Sequence, residues 1–363
     1  MRALRRITGW WIALALLGSI LAVGTHADAR QRARSSAVPR TAVTTSTSTS
    51  TTSSTTTTTA PPPTTTTTVP PTTAPPSPPP APAPAVATVT PSPPLQKAGA
   101  FTFDPYVGLG TWIDVYDWSE TYGGSAVGSA DIDRMASLGV QTVYIQATRW
   151  DADTVILEPD RLLALIRRAR SHGMRVVAWY LPDLGDGNTD MQRLTAIAQL
   201  PVDGLAVDIE SRSVNDVNER NQRLLTLSAW LRSQLPGQVL SAIVLPPVIM
   251  EDVNPNYWPD YPWSGLARFY DVWQPMAYWT NRGGEWRDAY NYTATNIDRV
   301  RQHLGKPDAV VHPIGGIGDE TNSDDVAAFQ RAIVDRGCVG GSLYDYRTTG
   351  DDLWPGLQQL RAS

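Results

Sequence analysis

The chain has 363 residues, a formal net charge of −5 at pH 7, and a single cysteine, Cys338. The mildly acidic balance, without a basic patch after residue 98, gives no reason to expect a nucleic-acid partner. One cysteine excludes an intrachain disulfide, and the four scattered histidines show no metal-ligand spacing. We expect a monomer that needs no metal and no other cofactor.

Residues 1–30 have the composition of a targeting segment. Three arginines among the first six residues precede an apolar stretch from Trp10 to Gly24, and Ala27-Asp28-Ala29 fits a small-residue cleavage site. An uncleaved membrane anchor is the alternative, because the stretch from Ile7 to Gly24 is near the lower length limit for a membrane span. Either interpretation predicts that the rest of the chain is secreted or held at the cell surface.

Residues 31–98 form a low-complexity linker. Between Thr41 and Pro94 almost every residue is Thr, Ser, Pro, Ala or Val. Without a periodic apolar face, nothing offsets the entropy lost on ordering the backbone. We predict a disordered stalk, either bare or carrying O-linked sugars, that adds reach and no catalytic group.

Residues 99–363 alternate short apolar runs with amphipathic segments, which is typical of βα units around a parallel sheet. The predicted strands are Leu109–Tyr116, Thr142–Ala147, Arg175–Leu181, Gly204–Ile209, Val239–Leu245, Val272–Tyr278, Ala309–Ile314 and Gly341–Tyr346. The predicted helices are Ala130–Leu138, Asp160–Ser171, Met191–Leu200, Asp216–Leu235, Thr293–Leu304, Asp324–Arg336 and Leu353–Arg361, with a long aromatic loop after the fifth strand.

These elements predict one (β/α)8 barrel, since eight strands in about 250 residues is the usual size of that fold. An open doubly wound sheet is the alternative. No glycine-rich nucleotide loop follows the first strand, which favours the barrel.

The fourth predicted strand delivers two carboxylates, Asp208 and Glu210, at its C-terminal end. In a strand the i, i+2 spacing points both side chains to one face, roughly 6.5–7 Å apart along the backbone. Burying two carboxylates there costs free energy unless they are paired with other groups or take part in function. Glycoside hydrolysis needs such a pair, so the spacing favours sugar chemistry.

The other strand ends are also polar and aromatic, and barrel enzymes place their sites there. Aromatic faces stack on sugar rings and carboxylates bind hydroxyls, although both residue types also occur in barrel interiors. We expect the following side chains to bind substrate: Asp114, Asp117, Trp179, Asp183, Gln274, Trp279, Asp345 and Tyr346.

Three motifs resemble glycoside hydrolase family 18, the chitinase family. The run from Asp203 to Glu210 resembles its strand-four signature Asp-Gly-x-Asp-x-Asp-x-Glu. Gln274–Tyr278 is similar to its strand-six pattern Gln-x-Met-x-Tyr, and Gly340-Gly341 to the opening of its last strand. The resemblance implies a barrel that cleaves N-acetylhexosamine polymers.

Carried over to this chain, the resemblance implies that Glu210 is the general acid. Asp208 would orient the N-acetyl group of the substrate, which attacks its own anomeric carbon, and Tyr278 would hydrogen-bond that acetamide. The sequence departs from the pattern at Ala206, where the family has another Asp, and at Trp279, where an Asp usually follows the tyrosine.

A second resemblance is partial. The strand ends at Ile113-Asp114-Val115, Ile145–Thr148 and Val207–Glu210 are similar to those of family 25 muramidases, which use an Asp-x-Glu pair and an Asp on strand one. We therefore expect an exported glycoside hydrolase that acts on an extracellular or cell-surface polysaccharide. A family 25-like muramidase acting on peptidoglycan and a carbohydrate-binding barrel without catalysis are the alternatives.

Overall fold

The computed structural model of the chain describes residues 99–123 and 126–362. The predicted targeting segment, 1–30, and the predicted stalk, 31–98, lie outside the described residues. Within the described part, no helix combines the length and the apolar character that crossing a bilayer requires.

The described residues contain nine strands that pair in parallel throughout. They follow the spatial order β7-β6-β5-β4-β3-β2-β1-β9-β8. Nearly every strand residue is buried, as expected where helices cover a parallel sheet. The strands are β1 Gly108–Ile113, β2 Thr142–Gln146, β3 Arg175–Tyr180, β4 Gly204–Ile209, β5 Leu240–Val244, β6 Val272–Pro275, β7 Val310–Val311, β8 Ile314–Ile317 and β9 Gly340–Tyr344.

Helices connect the strands, and several begin at an acidic N-cap because its carboxylate accepts the free backbone N–H groups. Asp186 and Asp216 cap two of them in this way. The helices are α1 Val115–Trp118, α2 Ser129–Ser137, α3 Pro159–Ser171, α4 Gly187–Ala198, α5 Val217–Gln234, α6 Trp263–Leu266, α7 Ala289–Leu304, α8 Ser323–Asp335 and α9 Trp354–Leu357. A π-helical turn at Ile249–Val253 and 3₁₀ turns at Asp104–Tyr106, Trp279–Asn281, Gly284–Arg287, Gly318–Glu320 and Gln358–Leu360 complete the set.

The predicted seventh strand, Ala309–Ile314, is wrong as a single unit. It is divided into β7 and β8 at Pro313, because proline has no N–H to donate to a sheet. The β7 half pairs with β6 and the β8 half with β9. The Ala277 N–H donates to the Ile314 carbonyl at 2.7 Å, which joins β6 to β8. The divided strand therefore closes the sheet into a barrel of eight strand positions.

Two predicted strands run three residues too far, and the eighth, predicted to Tyr346, ends at Tyr344. The first, predicted to Tyr116, ends at Ile113 because Asp114 caps α1 and accepts from the N–H groups of Tyr116 and Asp117. The sixth, predicted to Tyr278, ends at Pro275. In both cases the chain leaves the sheet just as it reaches the carboxyl end of the barrel, where its side chains are free to form a site.

Aromatic and polar side chains fill the barrel interior. Trp112 stacks on Tyr144 with 4.2 Å between ring centroids, and its Nε1–H donates to Ser342 Oγ at 2.7 Å. His312 lies on Ser342 from the other side, with Nε2 at 3.2 Å from Oγ. These contacts join the neighbouring strands β9, β1 and β2 inside the barrel and form a packed layer beneath the carboxyl ends of the strands.

Candidate active site

The paired acids lie at the end of β4. Asp208 is the fifth residue of that strand and is 5% exposed, whereas Glu210 follows the strand and is half-buried. In the described part of the chain, no donor reaches Oδ1 of Asp208. Asp208 is thus enclosed while Glu210 keeps access to solvent, the arrangement that a proton donor and its partner require.

Burial sets the protonation of this pair. It raises the pKa of Glu210 from 4.5 to about 7, because the charged carboxylate loses water. Burial and the neighbouring Glu210 charge together hold the pKa of Asp208 well above its usual range. A carboxyl group that keeps its proton near neutral pH can act as a general acid.

Two tyrosines connect β4 with the other side of the barrel mouth. The rings of Tyr278 and Tyr344 lie 5.8 Å apart, and the Tyr344 hydroxyl donates to Asp114 Oδ2 at 2.8 Å. Burial raises the pKa of Tyr278 well above its usual range, and Glu210, Asp208, Asp345 and Asp114 add to that shift in this order. Tyr278 therefore lies within electrostatic reach of carboxyls from both sides.

Three carboxylates gather where β1 and β9 end: those of Asp114, Asp117 and Asp345, each with an oxygen within 4.8 Å of the others. Protein donors already occupy them: Tyr344 binds Asp114, Arg347 Nη1 lies 3.3 Å from Asp117 Oδ1, and Thr348 binds Asp345. Burial raises the pKa of Asp114 and of Asp345 to about 6. The carboxylates of this acidic cluster are thus held by hydrogen bonds and an ion pair from neighbouring protein groups, and burial raises their pKa values.

Cationic and aromatic residues line the opposite side, after β4 and β5. The guanidinium carbon of Arg212 lies 4.5 Å from the centroid of Tyr257, and that of Arg220 lies 4.2 Å from the centroid of Trp258. We call these four residues the arginine wall. None of the four was predicted as a site residue, because Arg220 belongs to an ordinary helix and its stacking partner lies 38 residues further on.

The remaining predicted residues lie around this site in two settings. Trp179, Gln274 and Trp279 are buried in the packed layers: Trp179 lies beside Trp112, Gln274 accepts from Ser241 Oγ at 2.6 Å, and Trp279 packs on Phe329. Asp183 is half-buried, and its carbonyl accepts from Ser211 Oγ beyond β4. The Tyr346 hydroxyl donates to Asp131 Oδ1 at 3.3 Å, so it faces α2.

A cavity of about 500 Å³ opens at the other end of the barrel, near the start of β2 and β3. Of the described residues that line it, Asp104 is the one carboxylic acid. Barrel enzymes carry their catalytic groups at the carboxyl ends of the strands. The acids around Tyr278 are therefore the candidate active site.

No family model matches the sequence, and no curated protein matches it. Solved structures do. The spore cortex-lytic enzyme SleL of Bacillus cereus superposes with a TM-score of 0.53 at 9% identity, over 70% of this chain and 75% of that one. The endo-1,4-β-mannanase of Rhizomucor miehei has a TM-score of 0.51 at 11% identity, over 74% and 97%. A chitinase from Bacteroides thetaiotaomicron has a TM-score of 0.50 at 11% identity, over 70% and 96%.

These neighbours share the barrel, and by name they are a cortex-lytic enzyme, a mannanase and a chitinase. At 9–11% identity the likeness shows the fold alone. The described residues thus form a (β/α)8 barrel, the fold that these solved structures share.

Proposed function

We propose that this protein is an exported glycoside hydrolase that cleaves an extracellular or cell-surface polysaccharide, with Glu210 as general acid and base. The observation that carries the proposal is the placement of Glu210: it is a half-buried carboxyl beside the enclosed Asp208 at a strand end, where burial raises its pKa to about 7. The export follows from the composition of residues 1–30.

In the proposed reaction Glu210 transfers its proton to the glycosidic oxygen as the bond to the anomeric carbon breaks. The positive charge that develops on the sugar is stabilised by Asp208, which lies on the same strand. Glu210, now ionised, takes a proton from the water that releases the sugar. Its raised pKa makes both transfers feasible near neutral pH.

The substrate class follows from the resemblance to family 18. We propose an N-acetylhexosamine polymer, whose acetamide would be oriented by Asp208 and hydrogen-bonded by Tyr278. In this chain Ala206 stands where that family has a second Asp, so Asp208 has no acid two residues before it.

A muramidase acting on peptidoglycan is the second candidate. It is favoured by Asp114, which ends β1 as the family 25 resemblance implies and lies within electrostatic reach of Tyr278. The two candidates share Glu210 and differ in the polymer that is cleaved.

Product release by the full chain from chitin oligomers, peptidoglycan and neutral glucans tests the proposal. We expect release from one of the amino-sugar polymers, its loss in Glu210→Gln, and its retention in Glu219→Gln, an exposed glutamate on α5. The polymer that responds selects between the two candidates. Equal release by Glu210→Gln would contradict the assignment, and binding without release by the wild type would favour a carbohydrate-binding barrel.

A further inference from the structure

The arginine wall contains a buried positive charge that the mechanism above does not use. Arg220 is 3% exposed, and within the described residues no carboxylate lies within 4.0 Å of its guanidinium and no acceptor reaches its Nε. Arginine stays charged in proteins, and a buried charge without a counter-ion is costly. Arg220 is therefore placed to bind an anion that the described part of the chain does not supply.

The surroundings hold this guanidinium in place. Trp258 covers one face of it, and the indole N–H of Trp258 donates to Asn221 Oδ1 at 2.8 Å. Asn221 in turn donates to the Asp260 carbonyl at 2.8 Å. A guanidinium stacked in this way presents its edge, and that edge matches the two oxygens of a carboxylate or the oxygens of a sulfate.

A second arginine reinforces the positive charge. Arg212 lies over Tyr257 and is two residues beyond Glu210 in the chain. The pKa of Arg220 is lowered by burial and by the nearby positive charge of Arg212, since the two cations repel each other. Both guanidinium groups therefore contribute positive charge to the arginine wall.

The arginine wall lies next to Glu210 and away from the acidic cluster. The pKa of Tyr257 is raised by burial and by Glu210, while Arg212 and Arg220 act in the opposite direction, so its phenol lies within reach of all three. The acidic cluster follows β1 and β9, whereas the arginine wall follows β4 and β5, about half a turn round the barrel. An anion on the glycan can thus approach Glu210 from one side without meeting the acids of the other.

We propose that the arginine wall is an anion subsite that selects glycans carrying a carboxylate or a sulfate on a sugar next to the cleaved bond. This inference rests on the proposed function and specifies its substrate class. Arg220 and Arg212 bind the anionic group, and Trp258 and Tyr257 hold the two guanidinium groups in place.

Binding to the full chain carrying Glu210→Gln tests the subsite without requiring cleavage. The probes are an alternating N-acetylglucosamine–N-acetylmuramic acid oligomer, the same oligomer with its carboxylates converted to methyl amides, and N-acetylglucosamine oligomers with and without sulfate. We expect at least one anionic oligomer to bind about tenfold more tightly than its neutral counterpart, as loss of a charged hydrogen bond implies. The anionic oligomer that is preferred identifies the group as carboxylate or sulfate.

Adding Arg220→Gln should remove that preference, so that the anionic and the neutral oligomer bind with equal affinity. Adding Arg168→Gln, which deletes the same charge at the far end of α3, should leave the preference intact. Arg220→Lys keeps the charge without the planar edge and should retain part of the preference, so a loss through misfolding is distinguished from loss of the anion contact. Equal affinity for anionic and neutral oligomers, no binding of any anionic oligomer, or a preference that survives Arg220→Gln would overturn the inference.

Discussion

The hydroxyl of Tyr344 donates to Oδ2 of Asp114 at 2.8 Å and joins the end of β9 to the end of β1. Oδ1 of Asp114 is bonded to two backbone N–H groups of α1, so the tyrosine completes the set of donors to this buried acid. The ring of Tyr344 also lies against Tyr278. One side chain thus fixes an acid of the cluster and supports a tyrosine of the candidate active site.

Tyr344→Phe should destabilise the protein by about 1–3 kcal/mol, because a buried carboxyl loses its donor while the packing remains. The matched control is Tyr290→Phe, which removes a 2.8 Å bond to Asp335 near the surface and should cost less than about 1 kcal/mol. Denaturant unfolding of both variants measures the difference. Equal losses of unfolding free energy in the two variants would show that the buried hydrogen bond stabilises the fold no more than the surface one.

The stability of the protein should depend on pH through the carboxyls of the site. A folded-state pKa of about 7 for Glu210 means that the folded chain binds this proton more tightly than the unfolded chain, whose pKa is near 4.5. This contribution is fully present below the unfolded pKa and is lost as pH rises through the folded one. The free energy of unfolding should therefore fall between about pH 5 and pH 8, with Asp114 and Asp345 acting in the same direction.

Thermal or denaturant unfolding at several pH values measures this dependence, and Glu210→Gln should flatten it. Asp133 and Glu158, whose pKa values are lowered to about 2, stay ionised throughout the window and do not contribute. A slope that is unchanged in Glu210→Gln would show that this carboxyl titrates in its ordinary range.

Trp279→Ala should cost about 3–5 kcal/mol, since the ring is fully buried against Phe329 and its removal leaves a cavity. The control is Trp150→Ala, whose side chain is 44% exposed and should matter little. Comparing the unfolding midpoints of both variants shows whether Trp279 serves mainly to pack the core or to stack on a sugar ring. A stable Trp279→Ala variant with impaired glycan binding would contradict the packing role.

The seam between β9 and β1 requires glycine at position 340. A Cβ there would lie 2.2 Å from the Gly108 carbonyl oxygen, so the paired strands would have to separate. Gly340→Ala should destabilise the barrel by at least about 1–3 kcal/mol. Gly187→Ala, where a Cβ meets nothing within 4 Å in the first turn of α4, should be neutral or stabilising. Similar unfolding curves for the two variants would show that β9 and β1 do not pack too closely for a side chain at position 340.

Local patterns predicted most of the fold. Short apolar runs bounded by turn residues predicted the strand positions, and β4 falls at Gly204–Ile209 as expected. The boundaries were missed where a single residue competes with the sheet: Asp114 ends β1 by capping a helix, and Pro313 divides the seventh strand. Helix capping and strand breaking each depend on one side chain, so the periodic pattern of apolar residues does not reveal them.

The site was predictable only where it is local in sequence. Asp208 and Glu210 could be paired because two residues on one strand have a known separation. Tyr344 and Asp114 are 230 residues apart, and the stacking of Arg220 on Trp258 joins α5 to a loop after β5. Contacts of this kind depend on the register of barrel closure, which the residue pattern does not specify.

Glu210 as the proton donor is tested most directly by varying the leaving group. The full chain and its Glu210→Gln variant are compared on an oligosaccharide of the responding polymer and on a 2,4-dinitrophenyl glycoside of the same sugar, whose leaving group needs no proton. We predict a loss of about 10²–10⁴-fold on the oligosaccharide and a far smaller loss on the dinitrophenyl glycoside. Equal losses on both substrates, or no loss on either, would contradict the assignment of Glu210.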